Sequence, residues 1–323
     1  MRSLWHKAAR RLVALAVVLA ALATLAGLLE GQWWGFHLFV HFPLQMALVL
    51  AVLIVLAMSF RLPYMAGLAG LSLLAQVPAL SWSFGLGDFG SGVATAATPQ
   101  AASRPLVVTT FNMGGGRVDE EAFLAYLDEK DPDILLLQES YRIPKPLLAR
   151  LAARFDHFGP GQVPRRHSRM IFSRTPIPVG HRIRIARRNS FLVFQVELGD
   201  RRATVITLHA ANPTWDRGFE ARNKLFKALK LHLPNYEQPI IVAGDFNTTS
   251  WSRYFQALTE GTELRDAAKG QGWVATWPAR LGDLGIGIDH ILVSDDIEVA
   301  WIASGPNVGS DHLPVTAWLR LAP

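Results

Sequence analysis

Asparagine, glutamate, aspartate and histidine recur at the ends of short apolar runs along this 323-residue chain, where the runs themselves have no need of them. The first run closes on Phe111-Asn112-Met113-Gly114-Gly115-Gly116 and the second on Leu137-Gln138-Glu139-Ser140. A third ends Thr207-Leu208-His209, with Asn212 shortly after, and a fourth ends Gly244-Asp245-Phe246-Asn247. The last part reads Ile288-Asp289-His290 and then Gly309-Ser310-Asp311-His312. Carboxylates and carboxamides at strand ends, mixed with histidines, can hold a hard divalent cation beside acid–base groups. A Mg2+ or Mn2+ ion on one or two carboxylates keeps positions open for a phosphate oxygen and a water. The chain has no cysteine, which excludes disulfides, thiolate metal sites and a cysteine nucleophile.

Each of these residues also has an ordinary reading. Asn112 before three glycines suits a turn, and Asp245 and Asn247 could cap a helix beginning near Ser250. Glu139 could be a surface charge, and His312 a packed histidine with Asp289 as its structural partner. For all of them to be ordinary, an independent coincidence is needed at every strand end.

The elements that must position them are short and alternate. Runs at 105–111, 133–138, 169–173, 191–197, 203–209, 239–245, 288–294, 298–304 and 314–321 are β-branched or apolar throughout, as in strands buried on both faces. Helical patterns lie at roughly 119–130, 144–155, 216–232 and 251–259. Many strands, few helices and adjacent strand pairs predict two packed sheets with helices outside.

In order and in residue type, these motifs resemble the endonuclease/exonuclease/phosphatase superfamily, in a bacterial, membrane-anchored, deoxyribonuclease-like form. TFNMGG resembles its first motif, ILLLQES its second, GDFN the motif that contacts phosphate and water, and IDHILVS with GSDHLPV the terminal pair. The resemblance runs from about residue 105 to the end. It implies an α/β fold, a four-layered sandwich of two packed mixed sheets flanked by helices. It further implies that Glu139 is the main ligand of Mg2+ or Mn2+, helped by Asn112 and Asp311. His312, oriented by Asp289, would meet the phosphate or relay a proton, and Asp245 would orient or deprotonate the attacking water. Asn247 would hold a phosphate oxygen, and His209 would be a further catalytic histidine. After His209 the chain reads Ala-Ala-Asn-Pro where relatives acting on abasic DNA carry a tyrosine, so that repair role is not implied. The implied activity is a phosphodiesterase or nuclease acting on a phosphoester in a nucleic acid or a lipid headgroup. The alternatives are a phospholipid or inositol-phosphate phosphoesterase of the same fold, or a catalytically inactive, membrane-tethered binding module.

The first hundred residues differ in kind. They hold five basic and two acidic side chains, against 27 and 24 in the rest, so the positive net charge does not by itself announce a nucleic-acid binder. Apolar stretches at 12–29, 38–59 and 63–80 predict three transmembrane helices. Arg2, Lys7, Arg10, Arg11 and Arg61 place the N-terminus on the cytoplasmic side of an inner membrane, and three crossings deliver the remainder to the periplasmic side. Domains are thus expected at 1–80 (anchor), 81–104 (flexible tether) and 105–323 (catalytic), with no protein partner implied.

His37 and His41 read as interfacial or helix-packing histidines, and His167, His181, His232 and His290 carry no functional assignment. Next to Asp289, His290 should point to the opposite face of its strand. Arg165, Arg166 and Arg169, and the cluster Arg182, Arg184, Arg187 and Arg188, suit a solvated face or a phosphate-binding patch. Trp251, Trp273 and Trp277 suit core packing, base stacking or a lipid interface equally.

Overall fold

The structure is a computed structural model that describes residues 2–85, 104–159, 169–186, 189–199 and 201–321. Most of the expected tether, and Arg165, Arg166, His167, Arg187 and Arg188, lie outside the described residues.

Twelve strands form two six-stranded mixed sheets. The first sheet contains β1 (Leu106–Asn112), β2 (Ile134–Gln138), β3 (His157–Gly159), β4 (Arg169–Ser173), β11 (Ile297–Ser304) and β12 (Val315–Leu321), in the order β11-β12-β1-β2-β4-β3. The second contains β5 (Val179–Ala186), β6 (Asn189–Leu198), β7 (Arg201–His209), β8 (Ile240–Asp245), β9 (Leu264–Asp266) and β10 (Asp289–Ser294), in the order β5-β6-β7-β8-β10-β9. Alternation along the strands builds the layers. Val108, Ile134, Leu136, Ile241, Ala243, Ile291 and Val293 fill the space between the sheets. Their neighbours Leu135 and Leu137 turn outward onto α5 (Glu120–Lys130) and α6 (Lys145–Arg154), against Phe123, Leu127, Leu147 and Leu151. On the other side Ile206, Leu208 and Val242 meet α7 (Asp216–His232) and α8 (Arg253–Thr259) through Leu225, Phe226, Leu229 and Phe255. Two sheets flanked by helices agree with the expected α/β sandwich.

Two parallel pairs set up the site. β1 pairs with β2 across the α5 crossover, and β7 pairs with β8 across the α7 crossover. Parallel neighbours end at the same edge, so Asn112 stands beside Gln138 and His209 beside Asp245. β10 runs antiparallel to β8 and begins there, with Asp289 opposite Asp245. β12 runs antiparallel to β1, pairing Val315 with Thr110, which returns residues 310–312 to the edge occupied by Asn112.

Three strands escaped the sequence reading. β3 and β9 have only three residues each, and β5 is an exposed edge whose Arg182 and Arg184 read as part of a basic cluster. Edge strands carry such charges because a bare edge invites pairing with another chain.

The N-terminal region departs from expectation. Helices α1 (Arg2–Leu28), α2 (Pro43–Ser59) and α3 (Pro63–Leu74) pack together through Val17, Ala20, Leu50, Leu53 and Ala69, and α4 (Val77–Phe84) follows α3. Among the described residues, two helical stretches are long and apolar enough to cross a membrane, Leu4–Leu28 and Pro63–Phe84. The expected second span loses its first five residues, because Trp34–Phe39 forms a 3-10 turn and helix α2 starts only at Pro43. At 17 residues α2 measures about 26 Å, short of the roughly 30 Å hydrocarbon core. Residues 81–84, expected to open the tether, are helical instead: α4 continues to Phe84, and Gly85 closes it in the left-handed region. The end of α4 meets the sandwich directly: Gly270 and Gly272 donate their backbone N–H groups to the carbonyls of Trp82 and Ser83.

Candidate active site

Asp245 is the hub of the site, 1% exposed at the end of β8. Its Oδ2 accepts from Asn112 Nδ2 at 2.9 Å and from Asn247 Nδ2 at 3.2 Å, and its Oδ1 accepts from the Asn247 backbone N–H at 2.8 Å. Asn247 Nδ2 also donates to the Ala210 carbonyl at 2.9 Å, tying the loop after β8 to the end of β7. His209 Nε2 lies 3.5 Å from Asp245 Oδ2 and 3.7 Å from Glu139 Oε1, bridging the two sheets. His312 Nδ1 is 2.8 Å from Asp289 Oδ2, and its Nε2 is 3.9 Å from Asp245 Oδ2. The two sheets thus bring Asn112, Glu139, His209, Asp245, Asn247, Asp289 and His312 to one edge. Asp311, next to His312, is exposed, and its Oδ1 faces the Gly114 backbone.

Asp245 is pushed up to about 7, by burial first and then by the charge of Asp289, with His312 and the hydrogen bonds from Asn247 and Asn112 only partly offsetting them. Burial opposes protonation of His312, but Asp289, Asp245 and Asp311 outweigh it and raise that imidazole to about 10. His209 is lowered to about 4, by its depth in the cleft first and then by Arg169 and His312. The edge therefore holds a cationic histidine, a carboxyl that titrates near neutrality and a neutral histidine.

The backbone is strained where the site is built. Among the non-glycine residues with positive φ are Glu139 (49°) and Asn247 (50°), both at this edge. The loop after Asn112 needs its glycines for close approach. Gly114 has φ +54°, and a Cβ there would stand 2.7 Å from Asp311 Oδ1. Gly114→Ala is expected to cost about 1–2 kcal/mol of stability from the left-handed backbone alone, and to displace Asp311. Urea unfolding of the variant measures the first effect, and an unchanged midpoint would contradict it.

The site is chemically suited to a hard cation. Ligand atoms of Asp245, Asp289 and His312 lie within 4.8 Å of one another, and Asp289 Oδ1 is buried without a hydrogen-bond partner. Carboxylate and carboxamide oxygens without any thiolate match Mg2+ or Mn2+ better than a structural zinc.

Some residues were misjudged or missed from the sequence. Arg169 is not part of a solvated face: it is 6% exposed, pairs in register with Gln138 and binds Ser190 through Nη1 and Nη2. Asn189 was not singled out, yet with Glu139, His209 and Ala221 it lines the open cleft beside the site. His290 does point to the opposite face, where it joins Asp266 Oδ2 at 2.8 Å and the Thr248 carbonyl at 2.8 Å. That pairing pins the loop following Asn247. Trp251 and Trp273 stack on each other with centroids 5.2 Å apart, under Trp82.

Comparison with known proteins decides the family. The endonuclease/exonuclease/phosphatase family profile matches residues 109–312, well over half of the chain. The chain belongs to that family. Solved structures agree on the fold. An endonuclease/exonuclease/phosphatase from Beutenbergia cavernae aligns with TM-score 0.55 at 19% identity, covering 68% of this chain and 72% of that one. D. rerio TDP2, solved with a single-strand DNA product, gives 0.55 at 16% identity over 68% and 100%. Sphingomyelinase C from Streptomyces griseocarneus gives 0.51 at 16% identity over 67% and 99%. No curated protein matches the chain.

Proposed function

We propose that this family member is a membrane-anchored phosphodiesterase, dependent on Mg2+ or Mn2+, that hydrolyses phosphoester bonds by attack of an activated water. The observation that carries the reading is the convergence on Asp245 of Asn112, Asn247, His209 and His312 from both sheets. Glu139, with Asn112 and Asp311, would hold the ion, which when bound neutralises charge on the phosphate oxygens. Asp245 orients the water and takes its proton, a role suited to a carboxyl raised to about 7. Asn247 offers its side-chain amide to a phosphate oxygen. His312, held by Asp289, presents Nε2 as a cationic donor to the phosphate or the leaving oxygen. His209 adds a neutral donor or acceptor on the cleft wall.

Anchoring rests on the two long apolar helices and on side chains such as Leu15, Leu19, Leu22 and Leu25, which project from α1 into the surroundings. With the basic residues at the N-terminus and Arg61 inside, the 17-residue α2 must cross back between the two long apolar helices, and three crossings then put the catalytic domain on the periplasmic side of the inner membrane. A lipid headgroup is the second reading of the substrate beside nucleic acid. Gln45, in the first turn of α2, donates to the Leu284 carbonyl at 2.8 Å, which holds the exposed Leu281 and Leu284 near the outer ends of the apolar helices.

The test is hydrolysis of plasmid DNA, RNA, phospholipid vesicles and a chromogenic phosphodiester by the full chain, each with Mg2+, with Mn2+ and with EDTA. Cleavage that EDTA abolishes is the expected result, and the preferred substrate separates the two readings. A folded protein inactive on all four would overturn them.

A further inference from the structure

The segment between α1 and α2 does not hang free below the catalytic domain. Its 3-10 turn lies against α7 and α8, where the His37 ring meets Phe219 at 5.3 Å and Tyr254 at 5.7 Å. His37, with no exposed surface, and Glu30, 5% exposed, are buried there. Arg222, from α7, is likewise wholly buried. A guanidinium only donates hydrogen bonds, so its contact with His37 Nε2 fixes that nitrogen as an acceptor and the histidine as neutral. His37 Nδ1–H then donates to Glu30 Oε1 at 2.7 Å. His41 completes the set: its Nε2–H donates to His37 Nε2 at 2.9 Å, and its Nδ1 accepts from Thr249 Oγ1 at 2.8 Å. Glu30 also accepts from Ser252 Oγ at 2.5 Å and from the Arg253 backbone N–H at 3.0 Å. His37 Nε2 offers one lone pair, which the Arg222 and His41 donors share.

The network ends in the active site. Arg222 Nη1 donates to the carbonyl of Asn247 at 3.3 Å. Asn247 is the residue whose left-handed backbone and side-chain amide are fitted around Asp245. A strained backbone of this kind persists only where its surroundings over-determine it, and here one of the restraints is Arg222, itself held by His37 from outside the sandwich.

We infer that Glu30 and His37 are positioning residues of the catalytic site, acting through Arg222 to hold Asn247, so that the N-terminal segment is part of the working enzyme as well as its anchor. This rests on the phosphoesterase reading above. Nothing in the family's own strand-end motifs supplies Glu30 or His37, since both precede residue 109, where the family match begins.

The test uses the full chain in detergent, assayed with Mn2+ on bis(p-nitrophenyl) phosphate well below its unfolding temperature. His37→Leu can neither accept from Arg222 nor donate to Glu30, and kcat/KM is expected to fall about ten- to a hundredfold. In His37→Gln the amide oxygen can accept from Arg222 while the amide N–H donates to Glu30, so most of the activity should return. Gln45→Ala cuts a contact between α2 and the catalytic region without touching the network, and should stay within about twofold of wild type. Should His37→Leu fail to fold, Arg222→Lys carries the same expectation, because a lysine keeps the charge but loses the Nε and Nη2 bonds to Asn223 that aim Nη1 at His37 and Asn247. Equal activity of folded Leu and Gln variants, or unchanged kcat/KM in Arg222→Lys, would overturn the inference, since a purely structural network lowers the unfolding temperature alone. A wild type that hydrolyses no phosphoester removes the underlying reading, and the inference with it.

Discussion

Replacing Glu139 by glutamine is expected to lower metal-dependent hydrolysis by about three orders of magnitude, the equivalent of several kcal/mol of lost charge stabilisation. The residue follows β2 directly, and its carboxylate is 29% exposed in the cleft, so an ion can reach it from solvent. His209 Nε2, 3.7 Å away, stands between it and Asp245. Glutamine keeps the shape and meets the same left-handed backbone, so the loss reports the charge rather than the fold. A second readout needs no substrate. An ion that binds only the folded chain stabilises it by about 2.7 kcal/mol at a hundredfold excess over its Kd, which appears as a rise in unfolding temperature. Glu139→Gln should abolish most of the rise produced by Mn2+ in the wild type. If the variant keeps both the thermal shift and the activity, the ion sits instead on Asp245, Asp289 and His312, whose ligand atoms are already clustered.

The chemistry of this edge was legible in the sequence because strand ends display it in single residues. Asn112, Glu139, His209 and Asp245 each terminate or follow a run that is otherwise apolar, and parallel pairing then carries register 112 to 138 and 209 to 245 without further information. That His290 turns away from the face of Asp289 followed from strand alternation, whereas the role of Asp289 came from the family resemblance. What stayed hidden depends on contacts between distant segments. Arg169 looked like one more charge in a basic run until β4 paired with β2 and buried it. His37 and Arg222 are 185 residues apart, and no periodicity links them. The same cause shortened the second apolar helix: residues 38–42 are apolar enough for a span, but their turn is spent against the catalytic region, where Trp251 Nε1 donates to the Val40 carbonyl at 2.8 Å.

His312→Ala should cost about two to four orders of magnitude in turnover, the range for loss of a positioned proton donor. The imidazole is 6% exposed, and its Nδ1–H is committed to Asp289, so Nε2 has one direction available, toward Asp245 and the cleft. Asp289 Oδ1 has no partner of its own, so the alanine variant leaves that carboxylate buried without its cation. Stability must therefore change as well, with a sign that tests the protonation state. His312 is raised to about 10 in the folded, metal-free chain from 6.5 unfolded, so its contribution is complete below about pH 6.5 and disappears as pH rises through about 10. Urea unfolding of EDTA-treated wild type and variant across that window should show a gap that closes toward the alkaline end. A gap independent of pH would mean a neutral, merely packed histidine, and the donor role would then pass to His209, which stands 3.5 Å from the same Asp245 oxygen. The two outcomes differ in which histidine carries the proton, and the activity of His209→Ala beside His312→Ala separates them.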